Sequence, residues 1–102
     1  VYVVDLVWRE AGQVRDESDA DHVLRHGVTE DELEEAFFAA SRWLRLPGKL
    51  GRRVSVGRTR AGRALALGVE PWSGPRGADE GLWSPVTARD ATAAEKRRYL
   101  GR

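Results

Sequence analysis

The chain has 102 residues, 41% hydrophobic and 32% charged, which suits one globular domain over 1–102 and leaves no room for two. It has no cysteine, which excludes disulfides, thiol chemistry and thiolate zinc sites. The net charge of +1 conceals a segregation: residues 1–40 carry three basic side chains against eleven acidic, and residues 41–102 carry fourteen against five.

Val1 to Trp8 is β-branched and aromatic and predicts a strand. Arg9 to Glu17 is polar and reads as a loop. Ser18 is a cap for a short helix over Asp19 to His26, with Gly27 free to take the positive φ that ends it. Thr29 to Glu32 forms a Thr-x-x-Glu capping box. The helix it opens presents Leu33, Ala36, Phe37, Ala40 and Leu44 on one face and is expected to stop at Pro47-Gly48. Arg53–Val56 and Ala64–Val69 predict paired strands joined by a turn over 57–62. Residues 70–81 hold five glycines and prolines and read as a longer loop. Leu82–Val86 is a third strand of this meander, with Pro85 pointing to an edge or a bulge. Thr92 to Glu95 is a second capping box, opening a helix to about Leu100 with Gly101 as its stop. The order is strand, two helices, antiparallel meander and C-terminal helix, an α+β domain.

No acid lies between Glu35 and Glu70, while Arg42, Arg45, Lys49, Arg52, Arg53, Arg58, Arg60 and Arg63 do. Such a field favours polyanions, and RNA is the expected partner. The alternative is a self-complementary fold in which acidic helices neutralise a basic sheet. Fifteen of the seventeen basic residues are Arg, which suits bidentate phosphate contact, although a GC-rich genome produces the same bias. His22 and His26 are four apart but lack a nearby third ligand, so no metal or other cofactor is expected. No apolar run approaches the ~20 residues of a membrane span. Val1 to Trp8 lacks the basic start of a signal peptide, and the chain is expected in the cytoplasm.

His26-Gly27-Val28 ahead of Glu34-Glu35-Ala36-Phe37-Phe38 is similar to the opening of BrnT-type toxins. Gly57-Arg58-Thr59 with Gly62-Arg63 resembles that family's hairpin, and Val86 to Tyr99 resembles its closing signature. In order and at compatible spacing, these stretches cover roughly 22–69 and 82–100. The resemblance implies a RelE-like fold and a metal-independent endoribonuclease toxin of a type II toxin–antitoxin pair. It also implies a cognate antitoxin as partner, with operator DNA engaged only through that antitoxin. The chain departs from the family at Arg25, where Lys is usual, at Thr87, where Ser is common, and at Asp90, a frequently basic position. Trp8-Arg9-Glu10 is all that remains of the usual start, and residues 71–81 look inserted.

Metal-independent RNA cleavage uses the neighbouring 2′-OH as nucleophile, so a protein must move two protons and stabilise a charged phosphorane. Guanidinium groups suit the second task, and tunable groups such as His or Tyr the first. The candidate catalytic residues are therefore Arg53, Arg58 and Arg63 around the hairpin, Arg89 after the third strand, Tyr99 as a proton donor or base-stacking platform, and His26 for acid–base work. Arg52, Arg60, Lys96, Arg97 and Arg98 are candidates for holding the nucleic acid. Each has a plainer reading. The strand arginines are solvated, Arg89 pairs with Glu95 or the acidic helices, Tyr99 anchors a helix end, and His26 caps one. Trp72 and Trp83 either stack bases or anchor the loop beside them; Trp43 and Phe37 are core or partner surface. A non-catalytic RNA- or protein-binding module on the same fold is the alternative function, and a purely structural domain a third.

Overall fold

All three helix starts marked in the sequence form as caps. Ser18 Oγ accepts the Asp21 amide at the head of α1 (Asp19–Leu24). Thr29 and Glu32 close a reciprocal box at the head of α2 (Glu30–Ala39), and Thr92 and Glu95 do the same for α3 (Ala93–Leu100). Gly27 and Gly101 take φ of 78° and 74° just past α1 and α3, a conformation glycine adopts without steric cost. The computed structural model describes residues 5–13, 15–48, 51–72 and 80–101. The first four residues of the expected N-terminal strand, Lys49 and most of the long loop lie outside them.

The helices belong to an α+β fold with one five-stranded sheet. Its strands are β1 (Asp5–Leu6), β2 (Leu44–Arg45), β3 (Arg53–Arg58), β4 (Ala64–Pro71) and β5 (Leu82–Asp90), in the spatial order β1-β5-β4-β3-β2. β1 lies parallel to β5, and every other neighbour is antiparallel. No helix among the described residues is long and apolar enough to cross a membrane.

Several boundaries differ from expectation, and β4 runs on to Pro71, two residues into the predicted loop. The helix opened at Thr29 ends at Ala39, well before Pro47-Gly48: Ala40 has ψ of 133°, and Leu44 and Arg45 pair as β2 with Val54 and Arg53. Pairing there satisfies backbone groups along β3 that a longer helix would leave as a bare sheet edge. Aromatic packing supports the turn, since Trp43 folds back onto Phe37 with ring centroids 5.3 Å apart. The third predicted strand runs on to Asp90 and lies between β1 and β4, so Pro85 marks no edge. It marks a bulge, as Val69 faces Pro85 while Gly68 faces Thr87, leaving Val86 without a partner. The missing N–H of Pro85 is tolerated because β1 pairs only as far as Trp83.

The core lies between the α1–α2 pair and the sheet. Val23, Val28, Leu33, Ala36 and Phe37 from the helical side meet Leu65, Leu67, Val69 and Ala88 from β4 and β5. Gly57 belongs to β3 and not to the turn that follows. A Cβ there would stand 1.9 Å from the carbonyl oxygen of Ala36, so helix and strand touch backbone to backbone. A buried ionic clasp ties the chain before α1 to the sheet. Asp19, 2% exposed, accepts from the Arg9 amide at 2.8 Å, Arg9 Nε at 2.9 Å and Arg15 Nη2 at 2.6 Å. Arg9 Nη1 reaches Glu70 Oε1 on β4 at 2.6 Å.

Candidate nucleic-acid interface

Residues paired across strands share a face of the sheet. Gly57–Leu65–Asp90 and Ser55–Leu67–Ala88 are therefore rows on the face that α2 covers. Val54–Gly68–Thr87 and Val56–Ala66–Arg89 are rows on the other face, with Arg58–Ala64 next to them. On that second face Val56 is 1% exposed, and α3, the remaining helix packed against β3, covers it. Arg42 fastens α3 from outside by donating to the Arg98 carbonyl at 2.6 Å.

This geometry separates the six catalytic candidates. Arg58 and Arg89 are on rows of the second face, and Tyr99 is on α3, the helix that packs against β3. Only alanines, Ala64 and Ala66, fill the strand between the two arginines, whose Cα atoms are about 12 Å apart for ordinary strand spacing and rise. Arg58 is exposed and donates to the Gly62 carbonyl at 3.0 Å; among the described residues no carboxylate pairs with it. Arg89 is half exposed and grips Glu95 with both terminal nitrogens at 2.8 Å. Tyr99 is half-buried with the Arg98 guanidinium 5.8 Å from its ring.

Arg63, Arg53 and His26 are elsewhere. Arg63 is a structural hub on the helical side: Nε donates to Asp90 at 2.7 Å, and Nη1 reaches the Gly27 carbonyl at 2.8 Å and Glu32 at 3.1 Å. Its pKa is raised by the hydrogen bonds to Asp90 and then Glu32, and each carboxylate is held below its usual range. For Glu32 the Thr29 amide acts first and Arg63 second. Arg53 lies five residues from Arg58 on the same strand, roughly 17 Å away. Its guanidinium stands 5.3 Å from the Trp83 ring centroid and donates to the Gly51 carbonyl. His26 is exposed in the turn after α1, edge-on to His22 at 5.5 Å.

The binding candidates divide in the same way. Lys96, Arg97 and Arg98 sit on α3 beside the second face. Arg60 is at the hairpin tip, where its amide donates to Glu35 at 3.0 Å. Arg52 is half-buried at the opposite end of β3, 3.7 Å from Glu70. Trp83 packs on the core, and Trp72 is half-buried.

Glu95 links the helix to the site. It accepts from the Thr92 amide and from both Arg89 nitrogens. The Arg89 hydrogen bonds, more than the Thr92 amide, lower its pKa from 4.5 to about 2 despite partial burial. A carboxylate more acidic when folded than unfolded stabilises the fold above its unfolded pKa, and loses that contribution as pH falls through the folded value. Thermal unfolding from about pH 5 down to about pH 2 is therefore expected to show a steeper loss of stability for the wild type than for Glu95→Gln. Parallel curves would show that the pair contributes nothing to the fold.

Sequence reasoning named Arg89 and its pairing with Glu95 but missed Arg42, whose contact with Arg98 bridges a separation of 56 residues that no local pattern records. No protein-family model, curated protein or solved structure matches the chain at a significant level.

Proposed function

We propose that the chain is a metal-independent endoribonuclease toxin of the BrnT type on a RelE-like fold, acting in the cytoplasm and held in check by a cognate antitoxin. The observation that carries this reading is the pairing of Arg58 with Arg89 across two alanines on one sheet face, flanked by Lys96, Arg97 and Arg98. Two arginines on either side of a narrow strip of alanine suit one phosphodiester, and the basic helix suits the strand that continues from it. In the reaction the 2′-hydroxyl gives up its proton to water as its oxygen attacks phosphorus, the P–O5′ bond breaks, and a 2′,3′-cyclic phosphate and a 5′-hydroxyl form. Arg58 and Arg89 stabilise the charge on the phosphorane, and Tyr99, on the helix packed against β3, is the candidate to protonate the departing 5′-oxygen. Glu95, held near pKa 2 and occupied by Arg89, is unsuited to be the base.

The Arg89–Glu95 pair also favours a second reading, a non-catalytic RNA-binding module, because an arginine already held by two bonds donates less to a phosphate. One assay separates the two. Cleavage of labelled single-stranded RNA is expected to fall about 100-fold or more in Arg58→Ala and in Arg89→Ala with the fold retained, and to persist in Arg53→Ala. Salt-sensitive RNA binding without cleavage would select the second reading. Neither cleavage nor binding would remove both.

A further inference from the structure

The acidic half of the chain forms a surface of its own. Phe38 and Leu24 are the exposed large hydrophobic side chains among the described residues, at 58% and 57%. Both adjoin α2, and each lines a groove. The larger, of about 600 Å³, has Asp31, Glu34, Glu35 and Phe38 on its helical wall and Arg58 and Arg60 on the hairpin wall. The smaller, of about 380 Å³, holds Leu24 among Asp21, Glu30 and Asp31. Asp31 borders both, so two adjoining grooves, one between the hairpin and α2 and one between α2 and α1, make up a single acidic track.

The track is built rather than incidental. Glu35 ties the Arg60 amide at 3.0 Å, which fixes the hairpin wall against the helix. Phe38 is backed by core, its ring edge-on to buried Phe37 at 5.0 Å, so it stands out on a rigid base. Five carboxylates, from Asp21, Glu30, Asp31, Glu34 and Glu35, surround two apolar anchors.

We infer that this track is a docking surface for a basic amphipathic segment of a partner protein, whose apolar side chains cover Phe38 and Leu24 and whose cations meet the five carboxylates. Exposed aromatic anchors ringed by charge are how such segments gain both affinity and register. A second copy of this chain fits poorly. A two-fold pair would set acidic track against acidic track, and a head-to-tail contact with the basic sheet face would leave a track open on every added copy. Nucleic acid and anionic lipid are repelled by the same carboxylates. The inference does not depend on RNA cleavage, because the track lies on the helical side and only Arg58 belongs to both surfaces.

The test is fluorescence anisotropy with the whole protein and a labelled 18-residue synthetic helix carrying leucines on one face and lysine and arginine elsewhere, with no RNA present. Saturable binding is expected. Phe38→Ser should weaken it at least about 10-fold, and Glu34→Lys by a similar factor. Leu24→Ser, at the other end of the track, guards against a folding defect particular to position 38, and thermal unfolding checks all three variants. No binding, equal binding of a scrambled peptide of the same composition, or indifference to both Phe38→Ser and Leu24→Ser would overturn the inference. Concentration-dependent self-association that Phe38→Ser abolishes would assign the surface to a second copy and overturn it too.

Discussion

Gly57→Ala is expected to cost about 3 kcal/mol or more and to lower the unfolding midpoint by roughly 15 °C. The added methyl would lie 1.9 Å from the Ala36 carbonyl oxygen and 2.7 Å from its carbon, inside any permitted approach. Both neighbours are backbone, so no side chain can swing aside; α2 must lift by an ångström or more. That lift parts Leu33, Ala36 and Phe37 from Leu65 and Leu67 in the core. Gly62→Ala is the control. Gly62 has φ of 91° and nothing within 4 Å of its would-be Cβ, so the penalty is conformational only, about 1 kcal/mol. Differential scanning calorimetry distinguishes them, and equal small losses would mean that helix and strand do not touch at position 57.

The second large effect concerns the clasp before α1. Asp19→Ala removes the acceptor for the Arg9 amide, the Arg9 guanidinium and Arg15 at once. Arg9, 8% exposed, then keeps only Glu70. Burial alone would lower its pKa, but its hydrogen bonds to Asp19 and then Glu70 outweigh that and raise it; without Asp19 the balance tips towards the penalty. Breaking one side of a buried pair costs about 3–5 kcal/mol, a large share of what a domain of this size has. Arg9→Met should cost less, because Asp19 keeps Arg15 and the backbone amide while the methionine fills the vacated volume. Urea titration of the two variants gives the ranking, and the reverse order would show that the carboxylate is not the centre of the clasp.

Local rules account for what was legible in the chain. Capping boxes at Thr29 and Thr92, the Ser18 cap and the glycines at 27 and 101 act within four residues, and all form as expected. The end of α2 was not legible. Ala40 and Leu44 continue the helical period, but β3 offers a partner that only the folded sheet presents. A two-residue strand such as Leu44–Arg45 has no period of its own to read. Residues Thr87 to Asp90 look polar because their pairing with β4, not their hydrophobicity, makes them strand. Gly57 looked like a turn glycine from its neighbours Arg58 and Thr59, and only the approach of α2 reveals its use.

The site was half legible for the same reason. A basic stretch without acids between Glu35 and Glu70 announces a charged surface, and strand alternation then decides which arginines share it. Arg58 and Arg63 are five residues apart, yet the hairpin leaves one exposed, its side chain bonded only to the Gly62 carbonyl among the described residues, and sends the other to Asp90, Glu32 and Gly27. Those partners come from three separate stretches, so charge counting had no means of separating a clamp from a staple. Phe38 was open to a finer reading: with Leu33, Ala36 and Phe37 on one side of the helix, the next residue is turned about 100° away from them.

Among the described residues, the two outermost strands pair over only two positions each, β1 along β5 and β2 along β3. β1 and β2 themselves therefore offer an incoming polypeptide few amides and carbonyls to zip onto. Beyond Trp83 on β5 and Val54 on β3, no strand among the described residues lies along the outer side, so these longer strands present edges of their own. Main-chain recognition of an extended ligand, where it occurs, falls to those inner strands rather than to the rims.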